Sequence, residues 1–383
     1  MVTDFNFFDS LRQCPPKALP FCSKSVMKIL LFALLLYAAG LVLTGVGSRL
    51  ASRCATWCCA LCGLPLWVVG GTVVAMCAAL PQLMLAFLAA GLSVTALAVG
   101  TALAGAVTDL GLVFALCLLR QDVVVDRGEF CRKCALLLAA CGVVVFFVRD
   151  GTLSYTGTGL LMALFVIFVL QSVVYQYRFV FGEDLKLMHA HAGAPSPDKA
   201  ESYSARTMMF PAMSIKSSLC NLGGTVAGIV LLCAGAGALL ASAVALANLT
   251  GTIQAMWAAT LISFGLSLPL LAEVLHHPFG SVWKRFAERC RIYPPAALPM
   301  QMLNSAILNL TLVLPVSSLM YRRRLPVGAQ FRQYDVPLCI AMAVVLLVPP
   351  LLKKRLYRWQ GAVCLGLYFL YFAAALFAPV AGA

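Results

Sequence analysis

The chain is poor in charged residues, and this shortage excludes whole classes of protein. Among 383 residues only 11% are Asp, Glu, Lys or Arg, whereas soluble domains carry about 25%. An ordinary water-soluble globular fold is therefore excluded. Histidine occurs four times, and the sequence has neither a glycine-rich phosphate loop nor a recognisable nucleophile triad. We therefore expect no enzyme activity and no resident cofactor.

Long hydrophobic blocks take the place of the missing charges. Hydrophobic residues make up 62% of the chain, and apolar stretches near 20 residues, the length that crosses about 30 Å of hydrocarbon as a helix, recur throughout. The sequence predicts an all-α, polytopic integral membrane protein with ten transmembrane helices. The predicted spans are residues 26–48, 64–89, 94–119, 131–148, 155–178, 219–249, 252–276, 297–320, 335–352 and 358–379.

Basic residues indicate how these helices are oriented. The net charge is +14, which could suggest a nucleic-acid partner, but Lys and Arg lie mostly in short loops between spans, where orientation signals occur. Most of them follow the odd-numbered spans. We therefore expect these loops to face the cytoplasm, with both termini outside a bacterial inner membrane. The expected partner is the lipid bilayer, not nucleic acid.

The chain divides into two similar halves. Residues 72–87 align with 260–275, and residues 102–114 align with 302–314. Because each half has an odd number of spans, the second enters the membrane from the opposite side, which makes an inverted repeat of the kind that secondary transporters use. The predicted segments are an N-terminal segment at 1–25, a first five-helix repeat at 26–178, a cytoplasmic linker at 179–218 and a second five-helix repeat at 219–383.

A proline stands at the same position in each half. Pro81 in CAALPQL and Pro269 in GLSLPLL both interrupt apolar spans. Proline removes a backbone donor and frees carbonyl oxygens one turn earlier, where they could serve a cation. A single proline in a membrane helix is as readily a simple kink, but the matched pair favours helix breaks that line a transport path.

These features resemble the membrane domain of sodium/calcium exchangers, in the calcium/cation antiporter superfamily. In that family the second helix of each half carries a motif like GTSLPE, and the third carries one like GSNxxD. Here the corresponding segments read CAALPQL and AVGTALAGAVTDL, then GLSLPLLAE and PMQMLNSAILNL. The resemblance covers almost the whole chain and implies two inverted five-helix halves that exchange cations by alternating access.

The resemblance also implies a cation site, with altered ligands. The two glutamates of the family fall on Gln82 and Leu270, and an asparagine ligand falls on Asp109. Serine is kept at Ser305, and Asn309 stands where the family has Asn or Asp. The implied cation ligands are Asp109, Gln82, Ser267, Ser305, Asn309 and Glu273, with carbonyl oxygens near Pro81 and Pro269.

Only two acids, Asp109 and Glu273, are expected to lie well inside the spans. A carboxylate in the bilayer is costly unless it is paired, solvated or protonated, so both are functional candidates. Glu273 lies three residues after Leu270, on nearly the same helix face, but near the cytoplasmic end of its span it could instead reach the interface. Gln82 and Asn309 could either ligate a cation or bridge helices by hydrogen bonds.

Charge limits the ion that such a site could carry. Two carboxylates at most could balance one calcium ion, or one monovalent ion and a proton. Asp109 alone would favour a proton or a monovalent cation. We therefore expect a secondary antiporter for Ca²⁺, Na⁺ or H⁺. The alternative is a family relative that has lost transport and acts as a membrane assembly or regulatory partner, which would fit the loss of both glutamates.

Sixteen cysteines could suggest a resident metal. Most lie inside spans, where a thiol packs as a small apolar group. Spacings that zinc could use occur in two clusters, which are Cys54, Cys58, Cys59, Cys62 and Cys131, Cys134. No histidine lies near either cluster. We therefore expect structural packing there and no metal beyond the transported cation.

Overall fold

The computed structural model describes residues 24–61, 74–120, 123–125, 127–190, 215–275, 297–352 and 355–377. Almost all of these residues are helical. Among them are eight helices that are long and apolar enough to cross a membrane, and a shorter apolar helix at Ala79–Gly91. The all-α, polytopic membrane fold expected from the sequence is therefore confirmed.

The helices are numbered here in chain order. They are α1 at Lys24–Leu61, α2 at Val74–Gly91, α3 at Thr95–Arg120, α4 at Arg127–Phe147, α5 at Tyr155–Ala190, α6 at Ile215–Thr250, α7 at 254–275, α8 at 297–321, α9 at 331–352 and α10 at Arg358–Phe377. Each predicted span is covered at least in part by one of these helices. α1 and α5 continue well beyond their predicted spans, because hydropathy marks where a helix enters water and not where its backbone hydrogen bonds end.

The predicted linker at 179–218 is partly helical. It begins inside α5, which continues to Ala190, and it ends inside α6, which begins at Ile215. Residues 191–214 lie outside the described part of the chain. The division into two repeats on either side of this segment stays a prediction.

Two short pairs of antiparallel strands join the halves at opposite ends of the molecule. β1 at Val123–Val124 pairs with β4 at Arg355–Leu356, and β2 at Thr152–Leu153 pairs with β3 at Leu325–Pro326. β1 and β3 follow the third helix of their half, while β2 and β4 follow the fourth. The repeat therefore relates β1 to β3 and β2 to β4, so that swapping the two halves turns the β1–β4 pair into the β2–β3 pair. An inverted repeat requires this relation. We refer to the β1–β4 end and the β2–β3 end of the molecule.

α3 and α8 share a second feature of the repeat, a π-helical turn at the same position. The two turns are Asp109–Phe114 and Asn309–Val313. The sequence alignment of the two halves carries Asp109 onto Asn309. A π turn inserts one extra residue into the helical ladder and is common at functional sites. Further π turns lie in α7 at Ala258–Ile262 and at the start of α9 at Phe331–Asp335.

The matched prolines do not break their helices, so the predicted helix breaks are wrong. Pro81 lies inside the continuous helix Val74–Gly91, and Pro269 lies inside the continuous helix Ser263–Leu275. Each proline removes only one backbone donor, and neighbouring helices can hold the rest of the ladder in place. Within the helices that the structure describes, the irregular backbone lies instead in the π turns.

α1 and α6 pack against each other along a seam of glycines. A Cβ added at Gly47 would come within 2.9 Å of the carbonyl oxygen of Gly228, and one added at Gly228 would come within 2.7 Å of the amide nitrogen of Ala51. At Gly235 the nearest atom would be the amide nitrogen of Thr44, at 2.7 Å. The two backbones are therefore in direct contact, which small residues permit between membrane helices.

α3 and α8 form the centre of the bundle. Both are almost wholly buried, whereas α1 and α5 are mostly exposed. The exposed faces carry large apolar side chains, such as Leu35, Val42, Val166 and Leu170, as expected for a surface that meets lipid. Polar side chains on α3 and α8 therefore lie in the interior of the protein, away from that surface.

Candidate cation site

Asp109 is the centre of a buried polar cluster. It begins the π turn of α3, near the middle of Thr95–Arg120, and its side chain has no exposed surface. A carboxyl group at this depth must be hydrogen-bonded, neutralised by a cation or protonated. The side chains around it therefore decide what the site can hold.

Helices of both halves supply hydrogen bonds to this carboxyl group. Ser267 of α7 donates its hydroxyl to Oδ1 at 2.7 Å, and Ser305 of α8 donates its hydroxyl to Oδ2 at 2.6 Å. Asn309 lies one turn further along α8 and donates Nδ2 to Oδ2 at 3.1 Å. Gln82 of α2 is a further side-chain hydrogen-bond partner. All four partners are uncharged, so they disperse a negative charge on Asp109 without neutralising it.

Two amide oxygens of this cluster have no hydrogen-bond partner among the described residues. They are Oε1 of Gln82 and Oδ1 of Asn309, and both side chains are buried. A buried polar atom without a partner costs about 1–3 kcal/mol, so orphaned oxygens in one cluster indicate a position for an ion or a water. Gly105 leaves room for the two amides, because a Cβ there would lie 3.1 Å from Nδ2 of Asn309.

No cationic side chain pairs with Asp109 within the part of the chain that the structure describes. The ion pair found there lies on α4, where Nζ of Lys133 is 2.6 Å from Oε1 of Glu129. The carboxylate of Asp109 is therefore free to balance one positive charge from an ion. That ion could be a metal cation or a proton.

The structure brings five of the six predicted ligands together. These are Asp109, Gln82, Ser267, Ser305 and Asn309. The sixth, Glu273, belongs to α7, but its side chain lies outside the described residues. Leu270 takes the position of the second family glutamate and is a buried apolar residue. The role of all six in cation binding stays a prediction.

Sequence reasoning missed two further acids that are buried in the structure, and the expectation that only Asp109 and Glu273 lie well inside the spans stays a prediction. Asp335 is 0% exposed and Glu129 is 5% exposed. Both lie near the end of a predicted span, where hydropathy does not distinguish a buried position from the membrane interface. A signal for Asp335 was present, because Phe331 and Cys339 lie four residues to either side and all three side chains are buried.

The cysteine clusters give no metal site within the described residues. No group of three or more His, Cys, Asp and Glu side chains that could hold a metal is found there, and Cys131 and Cys134 are free thiols. The side chains of Cys54, Cys58 and Cys59, and the whole of Cys62, lie outside the described part.

The comparison with protein families decides the identity. A family model described as sodium/calcium exchanger protein matches residues 31–174 and 287–377, which is more than half of the chain. The chain belongs to this family. The match includes Asp109, Ser305 and Asn309, while α7 with Ser267 lies in the stretch between the two matched segments.

Solved structures share the fold of this exchanger. An H⁺/Ca²⁺ exchanger, CAX, has a TM-score of 0.63 at 14% identity, over 92% of this chain and 82% of that chain. The sodium-calcium exchanger NCX_Mj, in a crystal soaked with Na⁺ and Sr²⁺, has a TM-score of 0.53 at 18% identity, over 90% of this chain and 99% of that chain. A search of curated proteins finds no similar sequence. At these identities the two structures establish the common fold alone.

Proposed function

We propose that this exchanger is a secondary cation antiporter whose central site carries a monovalent cation such as Na⁺, and not Ca²⁺. The observation that carries the proposal is the wholly buried carboxyl group of Asp109 with four uncharged partners. One carboxylate balances one positive charge. With the described side chains alone, a Ca²⁺ ion would keep one uncompensated charge at this buried position, and such a charge costs several kcal/mol.

The oxygen atoms at hand support a small monovalent ion. The cluster offers the two carboxylate oxygens of Asp109, the hydroxyls of Ser267 and Ser305, and the amide oxygens of Gln82 and Asn309. Oxygens of this kind can replace the hydration shell of a cation. Ca²⁺ takes six to eight oxygens and prefers several carboxylates among them. All five side chains can supply oxygens that replace the hydration shell of a monovalent cation. Of these five, only Asp109 carries the negative charge that Ca²⁺ prefers.

The neutral ligands can serve the site both with and without the ion. In the present arrangement the hydroxyls and amide N–H groups donate to the carboxylate. When a cation enters, rotation of the hydroxyls and of the two amides turns oxygen lone pairs toward it. The free amide oxygens of Gln82 and Asn309 are then used. Amides and hydroxyls can make this exchange because each is both donor and acceptor.

The polar cluster draws its side chains from both predicted halves, which supports alternating access. Gln82 and Asp109 come from the first half, while Ser267, Ser305 and Asn309 come from the second. Movement of one half against the other would open the site first to one end and then to the other. The excess of Lys and Arg in the loops after odd-numbered helices supports a cytoplasmic β1–β4 end, with both termini outside a bacterial inner membrane.

The test is tracer flux into vesicles that contain the purified exchanger. We expect Na⁺ uptake driven by an outward gradient of Na⁺ or H⁺, with little competition from Ca²⁺. Asp109→Asn should abolish this uptake. Asp150→Asn is the matched control, because Asp150 is an exposed carboxylate at the β2–β3 end and its loss should leave uptake unchanged. Ca²⁺ flux equal to Na⁺ flux, or full uptake by Asp109→Asn, would overturn the proposal.

A transport-inactive relative would behave differently in a second measurement. A ligand that binds the folded state raises the melting temperature in proportion to the logarithm of its concentration. We expect Na⁺ to raise the melting temperature of the wild-type exchanger and not that of Asp109→Asn. Absence of both flux and stabilisation by any cation would favour the assembly or regulatory role.

A further inference from the structure

Asp335 is a second buried carboxyl group that the proposed cation site does not use. It ends the π turn that begins α9 and has no exposed surface. Neither of its carboxyl oxygens makes a hydrogen bond of ordinary geometry among the described residues, although the hydroxyl of Tyr371 lies within interaction range. The three residues before it, 332–334, are exposed, and the guanidinium of Arg332 donates to the carbonyl oxygen of Arg149 at the β2–β3 end. Asp335 therefore lies about one turn inside that end of the molecule.

Two tyrosines of α10 stand between Asp335 and Asp109. The hydroxyl of Tyr371 is the neighbour of Asp335, and the rings of Tyr371 and Tyr368 have centroids 6.4 Å apart. Tyr368 in turn packs its Cβ against Gly111 on the π turn of α3, and its hydroxyl faces Thr108 and Asp109.

Neither tyrosine hydroxyl makes a hydrogen bond of ordinary geometry among the described residues, although Tyr371 lies within interaction range of Asp335 and Tyr368 within range of Thr108. Buried polar groups are nearly always paired in folded proteins, so an unpaired set deserves an explanation by function or by an absent ion or water. Here four groups with an oxygen that lacks a well-formed hydrogen bond follow one another from the β2–β3 end to the centre of the site. They are the carboxyl of Asp335, the hydroxyls of Tyr371 and Tyr368, and the amide oxygen of Gln82, whose side chain is a partner of Asp109.

The repeat supplies an internal control for this arrangement. An offset of 202 residues carries β1 at Val123 onto β3 at Leu325 and carries Lys133 onto Asp335. An offset of 203 carries β2 onto β4 and carries Phe168 onto Tyr371. The first half therefore places a buried Lys beside a Phe ring, where the second half places a buried Asp beside a Tyr hydroxyl.

The buried Lys133 of the first half has a partner of opposite charge, whereas its second-half equivalent, Asp335, has none among the described residues. Lys133 is paired with Glu129 at 2.6 Å and lies over the ring of Phe168, 5.9 Å from its centroid. A structural buried charge in this fold is thus given a partner of opposite sign. Asp335 has no such partner in the described residues, and Tyr371 offers it a hydroxyl where Phe168 offers none.

The surroundings of Asp335 suit a proton better than a metal ion. The titratable groups near it are Tyr371 from α10 and Cys339 from its own helix, and Sγ of Cys339 in turn lies 3.7 Å from Sγ of Cys141 on α4. Hard cations need several oxygen ligands, whereas a proton needs only one acceptor oxygen. No metal-binding group of three or more acidic, Cys or His side chains is found in the described residues.

We propose that Asp335 is a proton-binding residue that takes protons from the β2–β3 end and exchanges them with Asp109 through Tyr371 and Tyr368. In each transfer an O–H bond forms at the acceptor as one breaks at the donor, and each tyrosine gives up one proton as it gains another. The net change is the movement of one proton between two carboxyl groups. The coupling of this proton to transport rests on the proposed antiport at Asp109. The binding of a proton by Asp335 does not depend on that proposed function.

Transport assays test the coupling. In vesicles with a trapped pH-sensitive dye, we expect an imposed Na⁺ gradient to move protons in the wild type. Asp335→Asn and Tyr371→Phe should slow this by about a hundredfold, the usual contribution of a positioned proton-transfer group. Both variants should keep Na⁺/Na⁺ self-exchange, which shows that they fold and bind Na⁺. Asp150→Asn should change neither rate. Wild-type proton movement in Asp335→Asn would overturn the relay.

Infrared spectroscopy of the purified exchanger tests the proton on Asp335 without any transport. A protonated carboxyl group absorbs separately from a carboxylate, and we expect Asp335→Asn to remove one such band while Asp150→Asn keeps it. If the wild type moves no cation but this band is present, the proposed function fails and the proton site stands. If the band is unchanged in Asp335→Asn, the proton-binding proposal is wrong even where Na⁺ flux is measured.

Discussion

Gln82→Glu should change the ion preference of the central site from monovalent to divalent. The substitution keeps the shape of the side chain but replaces an amide donor to Asp109 with a second carboxylate. The chain has a glutamine at this position, where the resembled family has glutamate. The experiment therefore asks whether one side chain determines which ion the fold carries.

The magnitude follows from charge and burial. Both side chains are buried, with Gln82 at 2% and Asp109 at 0% exposure. Two carboxylates about 4 Å apart repel by about 4 kcal/mol at an effective dielectric constant near 20. A bound Ca²⁺ ion removes this repulsion, so the variant should bind Ca²⁺ more tightly than the wild type by a factor of about a thousand. Without Ca²⁺ the variant should be less stable than the wild type.

The assay is the melting temperature of the purified protein during titration with CaCl₂ and with NaCl. We expect Gln82→Glu to melt below the wild type in the absence of Ca²⁺ and to recover as Ca²⁺ is added. Gln171→Glu is the control. Gln171 has a buried amide oxygen without a partner in the described residues but lies on α5 and is not a partner of Asp109. Equal Ca²⁺ rescue of both variants, or none for Gln82→Glu, would refute the charge argument.

Two further substitutions test the site and the helix seam. Ser305→Ala removes a hydroxyl 2.6 Å from Oδ2 of Asp109 that is a proposed ligand of the ion. Because a polar contact with a charged group contributes about 1.5–3 kcal/mol, we expect Na⁺-dependent stabilisation to need about tenfold to a hundredfold more Na⁺. Thr311→Val, which removes a hydroxyl bonded only within its own helix, should not show this shift. Gly228→Ala places a Cβ 2.7 Å from the backbone of α1, whereas Gly237→Ala meets no atom within 4 Å. Overpacking costs about 1–3 kcal/mol, so Gly228→Ala alone should lower the melting temperature, and equal melting of both variants would contradict the close packing of the seam.

The positions of the helices could be predicted well because the membrane imposes a strong length and polarity rule. The predicted span at 94–119 compares with α3 at Thr95–Arg120, and the predicted span at 297–320 with α8 at 297–321. Helix ends in water were less predictable. α5 runs to Ala190, twelve residues past its predicted end at 178, because nothing in the hydropathy of a helix requires its backbone to end at the bilayer surface.

The polar cluster could be found from the sequence because intramembrane polar residues are rare and the repeat relates them. Asp109 and Asn309 align with each other, and the structure places their side chains 3.1 Å apart. The π turns that begin at these residues could not be read from the sequence, since a single inserted residue leaves the apolar pattern of a wholly buried helix unchanged. Asp335 was missed because hydropathy near a span end does not distinguish a buried position from the membrane interface, even though Phe331 and Cys339 share its helix face.

The two halves carry different charges at equivalent buried positions, and because of this difference the fold alone does not predict which ion is transported. Repeat-equivalent positions carry Asp109 against Asn309, and Lys133 against Asp335. A symmetric fold with symmetric charges would place two carboxylates at its centre and balance a divalent ion. Here the central charge is that of one described carboxylate, so the fold alone, which CAX and NCX_Mj share, does not determine the transported ion. We propose that the side chains that break the symmetry determine it, and those are the residues to exchange first.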